Sequence, residues 1–132
     1  MRSRAIFSNK KQDQIWLWSP WHRVEVFNSV RQFTRHPDAR YRILPAEARA
    51  IIRIIERDVR LDYLQHVEAD WRDVLRAANE ISIAHGFSLP CRAADLLHVA
   101  YAVELSAETF VSFDNDQLAL AEAAGLKTVF PR

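Results

Sequence analysis

The sequence contains little cysteine and little glycine. Its 132 residues include one cysteine and two glycines. A single cysteine, Cys91, excludes a framework of internal disulfides and is typical of a reducing compartment, so we expect a cytoplasmic protein. Two glycines are too few for the glycine-rich loops that hold phosphates in many nucleotide-binding proteins. The same scarcity argues against a turn-rich β-sandwich.

Long hydrophobic runs and a large net charge are also missing. No apolar run approaches the ~20 residues that a membrane span requires, and the N-terminal MRSRAIFSNKK lacks the apolar core of a secretory signal. We therefore expect no membrane partner. The formal net charge of +1 argues against a strongly basic nucleic-acid binder. What the chain does have is 49% hydrophobic residues, enough for one globular domain over residues 1–132.

Most of the positive charge is arginine, and part of it is regularly spaced. Arg49, Arg53, Arg57 and Arg60 recur at helical intervals. Arginine suits phosphates because its planar fork donates to two oxygens at once. A solvated helix face is the ordinary interpretation of such spacing.

Apolar periodicity predicts strands that alternate with helices. The predicted strands are residues 15–18, 61–67, 109–113 and 127–130. The predicted helices are residues 21–33, 45–59, 71–81, 92–105 and 117–124. This alternation is typical of an α/β domain with a mainly parallel sheet.

Three acidic residues are expected at the carboxyl ends of these strands, where ligands bind in open α/β sheets. Asp114 follows strand 109–113, Glu25 lies early in the helix after strand 15–18, and Asp95 lies in the first turn of helix 92–105. Each has a structural alternative: Asp95 as a helix cap, Glu25 in a salt bridge with Arg23 or Arg31, and Asp114-Asn115-Asp116 as a turn or cap.

Taken together, the acids favour a bound cation, since clustered carboxylates repel one another. Hard oxygen ligands with few cysteines and histidines favour Mg²⁺ or Mn²⁺ over zinc. Such ions activate water and stabilise the leaving oxygen of a phosphodiester. His98 falls one turn after Asp95 on the same helix face, where it either orients the carboxylate or packs as a core histidine.

The segment CRAADLLHVAYAVELSAETFVSFDNDQLALAEAAGLKTVF, residues 91–130, resembles the C-terminal half of PIN domains. The similarity is greatest to VapC-like toxins of bacterial type II toxin–antitoxin systems. Asp95 opens an apolar helix, Ser112-Phe113-Asp114 ends a strand, and a short helix closes with residues 121–126. Upstream, WLWSPWHRVEVFNSV resembles the second strand of the family and the helix that bears its glutamate, here Glu25. The similarity extends over about residues 10–130.

The resemblance implies a PIN-like three-layer α/β/α fold and a Mg²⁺- or Mn²⁺-dependent endoribonuclease that hydrolyses RNA. It makes Glu25, Asp95 and Asp114 catalytic and metal-binding acids, with Asp116 as a further metal ligand. Ser112 would support this site. The resemblance also implies an antitoxin protein as a partner and a homodimer.

One family element has no counterpart in the sequence. PIN domains begin with a central strand that ends in a metal-binding aspartate, but here Asp13 precedes strand 15–18 and is misplaced. Residues 5–9 lie too close to Ile15 for a parallel crossover, which needs about a dozen residues or more, whereas a hairpin is allowed. We expect an N-terminally truncated PIN-like domain in which residues 1–13 are the remnant of the helix before the second family strand.

The missing strand has two expected consequences. The sheet should contain a gap or be rearranged, which predicts low stability or a dimer that covers the gap. Loss of the first acid should weaken metal binding, so ribonuclease activity is expected to be low or absent.

Two other functions fit parts of the pattern. A non-catalytic PIN remnant would bind an antitoxin or RNA without needing a metal. Asp114-x-Asp116 also resembles the nucleophile motif of haloacid-dehalogenase-like phosphatases. That motif follows the first strand and precedes Thr or Val, whereas here it lies near the C-terminus and precedes Gln117-Leu118.

Overall fold

A computed structural model describes residues 6–8 and 15–131. This part of the chain contains five short strands interspersed with five α-helices. The strands are β1 (Ile6–Ser8), β2 (Trp16–Trp18), β3 (Leu64–His66), β4 (Thr109–Val111) and β5 (Lys127–Val129). The helices are α1 (Pro20–Gln32), α2 (Pro45–Arg60), α3 (Trp71–His85), α4 (Ala93–Glu104) and α5 (Asn115–Ala123), with a 3-10 turn at Phe33–Arg35. Each strand and helix predicted from periodicity is present, but the strands predicted at 61–67 and 109–113 are shorter, at Leu64–His66 and Thr109–Val111.

Local sequence signals explain where the first two helices begin. Ser19 precedes α1, its hydroxyl accepts a hydrogen bond from the His22 backbone N–H, and Pro20 occupies the first helical position. Pro45 likewise occupies the first helical position of α2, and the Glu47 carboxylate accepts a hydrogen bond from the Leu44 backbone N–H. Both starts therefore follow from residue types visible in the sequence.

The strands form one mixed sheet in the order β3-β2-β1-β4-β5. The outer pairs, β2–β3 and β4–β5, are parallel, whereas β1 is antiparallel to both of its neighbours. Strands β2, β3, β4 and β5 therefore run in one direction and β1 runs in the other. A mainly parallel sheet was expected, and that expectation holds for the outer pairs only.

The prediction that residues 1–13 are a helix remnant is wrong for Ile6–Ser8, which form β1. Residues 1–5 and 9–13 lie outside the described part of the chain, as does the Asp13 side chain. The short connection to β2 prevents a parallel crossover, so the segment pairs antiparallel instead. It occupies the place between β2 and β4, so the sheet is rearranged and the expected gap is filled.

The direction of β1 matters for the site. Ile6 pairs with Val111, and Ser8 pairs with Trp16 and Thr109. The first residue of β1 therefore lies beside the carboxyl end of β4, whereas its last residue lies beside the amino ends of both neighbours. Because β1 runs this way, an acid at its carboxyl end would be at the wrong edge of the sheet for the expected site.

Apolar side chains cover both faces of β2. Leu17 packs into a cluster contributed mainly by α3, α4, β4 and α5: Val74, Val99, Tyr101, Phe110 and Leu120. Trp18 packs into a second cluster from α1 and α2: Val26, Phe27, Val30, Ala48 and Ile52. Neighbouring residues of a strand point to opposite faces, so this apolar strand is covered on both sides, as predicted. Within the described residues, no helix has the length and apolar character needed to span a membrane.

Candidate functional site

An open cavity of about 1020 Å³ is lined by residues of α1, of the turn after α1, of the start of α4 and of α5. Glu25 lines it from α1, and Asp95 and Arg92 line it from the start of α4. Gln117 contributes from α5, and Arg35 and His36 come from the turn after α1. The structure therefore brings two of the predicted acids, Glu25 and Asp95, to one cavity.

Asp95 is almost fully buried, with 4% of its surface exposed. One oxygen, Oδ2, accepts a hydrogen bond from the Arg92 backbone N–H at 2.8 Å, and the other, Oδ1, accepts from Gln117 Nε2 at 3.0 Å. The position in the first turn of α4 also favours a negative charge, because the helix dipole is positive there. Asp95 thus caps its helix, as the structural alternative predicted, while still facing the cavity.

The side chain of Gln117 joins this carboxylate to the end of β4. Ser112 Oγ donates to Gln117 Oε1 at 2.9 Å and accepts from the Asp114 N–H at 3.0 Å. Because its oxygen accepts from Ser112, the amide presents its NH₂ group to Asp95. Ser112 is fully buried and Gln117 is 5% exposed, so this chain of hydrogen bonds is shielded from water. Ser112 is therefore linked to Asp95 through Gln117, while its support of a metal site stays a prediction.

Sequence reasoning missed Gln117. The available signal was its position: Gln117, Leu120 and Ala121 share the buried face of α5. A glutamine on an apolar helix face needs internal hydrogen-bond partners, which makes it a candidate for a polar network.

Asp114 serves as the N-cap of α5. Its Oδ1 accepts from the backbone N–H groups of Asp116 and Gln117, at 2.9 and 3.4 Å. Asp116 is exposed in the first turn of the same helix. Among the described residues that line the cavity, neither of these aspartates is present. The structure therefore does not gather the four predicted acids around one point. Asp114 acts as a helix cap, which is the structural alternative given for it in the sequence analysis.

Glu25 lies beside a buried histidine. The Trp21 indole N–H donates to His98 Nδ1 at 3.2 Å, and His98 Nε2 lies 3.7 Å from Glu25 Oε1. An indole nitrogen can only donate, so Nδ1 accepts and the proton of the neutral ring resides on Nε2, facing the carboxylate. His98 is 2% exposed and faces Trp21 and Glu25 rather than Asp95. Arg23, one of the two arginines considered as a salt-bridge partner of Glu25, pairs with Glu56 at 2.6 Å.

A second buried histidine lies close behind His98. The ring centroids of His22 and His98 are 5.9 Å apart, and His22 Nδ1 lies 2.7 Å from Ser19 Oγ. Burial, assisted by the nearby His98, lowers the pKa of His22 from 6.5 to about 3. His22 is therefore neutral at physiological pH and adds no positive charge behind Glu25.

The donor set available to a metal is small. Among the residues that the structure describes, no group of three or more His, Cys, Asp or Glu side chains is arranged to hold a metal ion. Glu25 and Asp95 are the two acids lining the described cavity. Asp95 accepts two hydrogen bonds and has the Arg92 Nε at 4.0 Å from Oδ2, and its oxygens retain lone pairs for further interactions. Two carboxylates fit Mg²⁺, which keeps several waters and uses substrate phosphates as ligands, but they do not fit a site built from protein ligands alone.

Comparison with protein-family models, with curated protein sequences and with solved structures finds no match to this chain.

Proposed function

We propose that the protein is a divalent-metal-dependent endoribonuclease of the PIN, VapC-like type. The observation that carries the proposal is the shared cavity of Glu25 and Asp95, with Arg35 and Arg92 at the same cavity. A pair of carboxylates beside arginines suits a phosphodiester that carries a divalent cation. The carboxylates attract the cation, and the arginines attract the phosphate oxygens. The antitoxin partner and the homodimer belong to the same proposal and derive from the sequence resemblance.

In this proposal, some residues of the cavity would bind the RNA substrate and others would bind the cation. Arg35 and Arg92 are exposed and would hold phosphate oxygens of single-stranded RNA. Glu25 and Asp95 would hold Mg²⁺ or Mn²⁺, which supplies Lewis acidity at the phosphate when bound. Gln117 would fix the rotamer of Asp95, and Trp21 would fix the His98 ring beside Glu25. With few protein ligands, the metal affinity should depend strongly on bound RNA.

Cleavage of single-stranded RNA tests the proposal. The full chain should cleave RNA with Mg²⁺ or Mn²⁺, at a low rate because the first family acid is missing, and lose this activity in EDTA. Glu25→Gln and Asp95→Asn should each abolish cleavage, since each removes a charged donor while retaining side-chain size. Glu104→Gln and Glu108→Gln remove exposed acids outside the cavity and serve as controls that should retain activity. Cleavage that is equal in Asp95→Asn and in the unaltered protein would contradict the proposal.

A non-catalytic RNA-binding or antitoxin-binding module is the second candidate. It is favoured by the capping roles of Asp95 and Asp114, which give both acids a structural purpose. This candidate predicts binding that is unchanged by EDTA and no cleavage under any metal condition. Parallel binding and cleavage measurements on the same RNA therefore separate the two functions.

A further inference from the structure

Helix α2 carries a line of exposed arginines along its outer side. Arg49, Arg53, Arg57 and Arg60 are separated by four, four and three residues, so they share one helix face, and all four are exposed. We name these four residues the arginine stripe. The core side of α2 is a neighbouring face of the helix, where Ala48 and Ile52 are buried and Ile55 and Val59 pack against them. At a rise of 1.5 Å per residue the stripe extends for about 16 Å.

Most of the charge in the stripe has no carboxylate close to it. Elsewhere in the described part of the chain, five arginines pair with acids and three (Arg31, Arg35 and Arg42) do not; the pairs are Arg23 with Glu56, Arg40 with Asp38, Arg72 with Asp70, Arg76 with Asp73 and Arg92 with Asp95. The stripe differs in that its unpaired arginines lie together on one helix face. Within the stripe, Arg57 has Asp58 at 3.7 Å. In the described part of the chain, Arg49, Arg53 and Arg60 have no carboxylate within 4.0 Å.

Two of the three acids of α2 contact groups outside the stripe, and the third, Asp58, pairs with Arg57. Glu47 accepts the Leu44 backbone N–H at the start of the helix, and Glu56 pairs with Arg23 on α1. On α3, by contrast, Arg72 pairs with Asp70 and Arg76 pairs with Asp73. Three unpaired arginines in line instead present a positive surface to a ligand with regularly repeated negative charge.

We propose that the arginine stripe binds the phosphate backbone of single-stranded RNA outside the cavity. The guanidinium fork matches phosphate oxygens, and one arginine per helical turn gives repeated contacts along a strand. Helix α2 packs against α1, the helix that contributes Glu25 to the cavity, so the stripe lies one helix away from the proposed site. The choice of RNA as the ligand rests on the proposed function, whereas the existence of a polyanion-binding surface does not.

The test measures binding of a fluorescently labelled oligouridine to the full chain in EDTA, over a range of salt concentrations. The variant Arg49→Gln/Arg53→Gln/Arg60→Gln removes the unpaired charges, and glutamine has a helix propensity similar to that of arginine. Each phosphate contact to single-stranded RNA contributes about 0.7 to the slope of log K against log salt. Losing three contacts should reduce the magnitude of the slope by about 2. The ratio of the unaltered protein's affinity to that of the variant should therefore be about 100-fold larger at 0.1 M salt than at 1 M salt.

The matched control is Arg40→Gln/Arg72→Gln/Arg76→Gln, which changes the net charge by the same amount but removes paired arginines away from α2. It should leave the salt slope almost unchanged. An equal loss of affinity in the control, or an unchanged slope in the stripe variant, would overturn the proposal. Circular dichroism of both variants verifies that they are folded.

Two further measurements distinguish RNA binding by the stripe from membrane binding and from the proposed nuclease activity. If the stripe variant loses binding to phosphatidylserine vesicles while its RNA binding is unchanged, the ligand is a membrane surface and the RNA proposal is wrong. Failure of the proposed function appears differently, as absent cleavage in the unaltered protein. Stripe-dependent RNA binding without cleavage would support the stripe and refute only the nuclease.

Discussion

Replacing Gln117 by methionine should destabilise the fold, because this side chain links Asp95 to Ser112 inside the protein. Methionine has a similar length and a good helix propensity, so the change removes the amide while keeping most of the volume. The variant loses one hydrogen bond to a carboxylate and one to a hydroxyl. The first type contributes about 1.5–3 kcal/mol and the second about 1 kcal/mol. We expect the free energy of unfolding to fall by about 2–4 kcal/mol.

Urea denaturation followed by circular dichroism measures this loss. The midpoint should fall while the denaturant slope m stays the same, which identifies a change in stability rather than in compactness. Gln32→Met, at an exposed position of α1, is the matched control and should change stability by less than about 0.5 kcal/mol.

A double-mutant cycle with Asp95→Ala isolates the link between the two side chains. Because the residues share a buried hydrogen bond, their effects should fall short of additivity by about 1.5–3 kcal/mol. A cost for Gln117→Met below about 0.5 kcal/mol, or additive effects within about 0.5 kcal/mol, would refute the reasoning.

The remaining predictions concern the cap of α5 and the buried His22. Asp114→Ala should cost about 1 kcal/mol in urea denaturation through loss of the N-cap, whereas Asp114→Asn should cost little because asparagine also caps; equal costs would argue against capping. Loss of RNA cleavage in Asp114→Asn at normal stability would assign Asp114 to the nuclease site as well. Because the pKa of His22 is lowered from 6.5 to about 3, the unfolded chain binds a proton in that window that the folded chain does not. Stability should therefore fall as the pH drops below 6.5, approaching about 1.4 kcal/mol per pH unit from this group, and His22→Gln should remove that contribution between pH 6.5 and 5. An identical slope in the variant would contradict the assignment.

The secondary structure was predictable because helices and strands have different periods that short-range sequence displays. The α2 boundaries followed from Pro45 and from the apolar face that ends near Val59. The central strand was not predictable in the same way. Residues Ile6–Ser8 are too few to establish a period, and their place between β2 and β4 depends on long-range pairing. Only the short connection to Ile15 indicated that a parallel crossover was impossible.

The candidate site was predictable in part, for a similar reason. Glu25 and Asp95 stood out because charged residues in apolar segments need compensation, and both line the cavity. Which groups compensate them depends on three-dimensional neighbours: Gln117 lies 22 residues from Asp95, and Trp21 lies 77 residues from His98. Spacing alone placed His98 near Asp95, whereas the fold turns its ring towards Trp21 and Glu25.

Binding of Mn²⁺ tests the central claim most directly, because it asks whether Glu25 and Asp95 form one cation site. Electron paramagnetic resonance of the full chain should detect bound Mn²⁺, more tightly when a non-hydrolysable RNA strand supplies phosphate ligands. Glu25→Gln/Asp95→Asn should abolish this binding, whereas Glu104→Gln/Glu108→Gln, which removes the same charge from exposed positions, should preserve it. Equal Mn²⁺ binding by both double variants, or no binding by the unaltered protein even with RNA, would contradict the account.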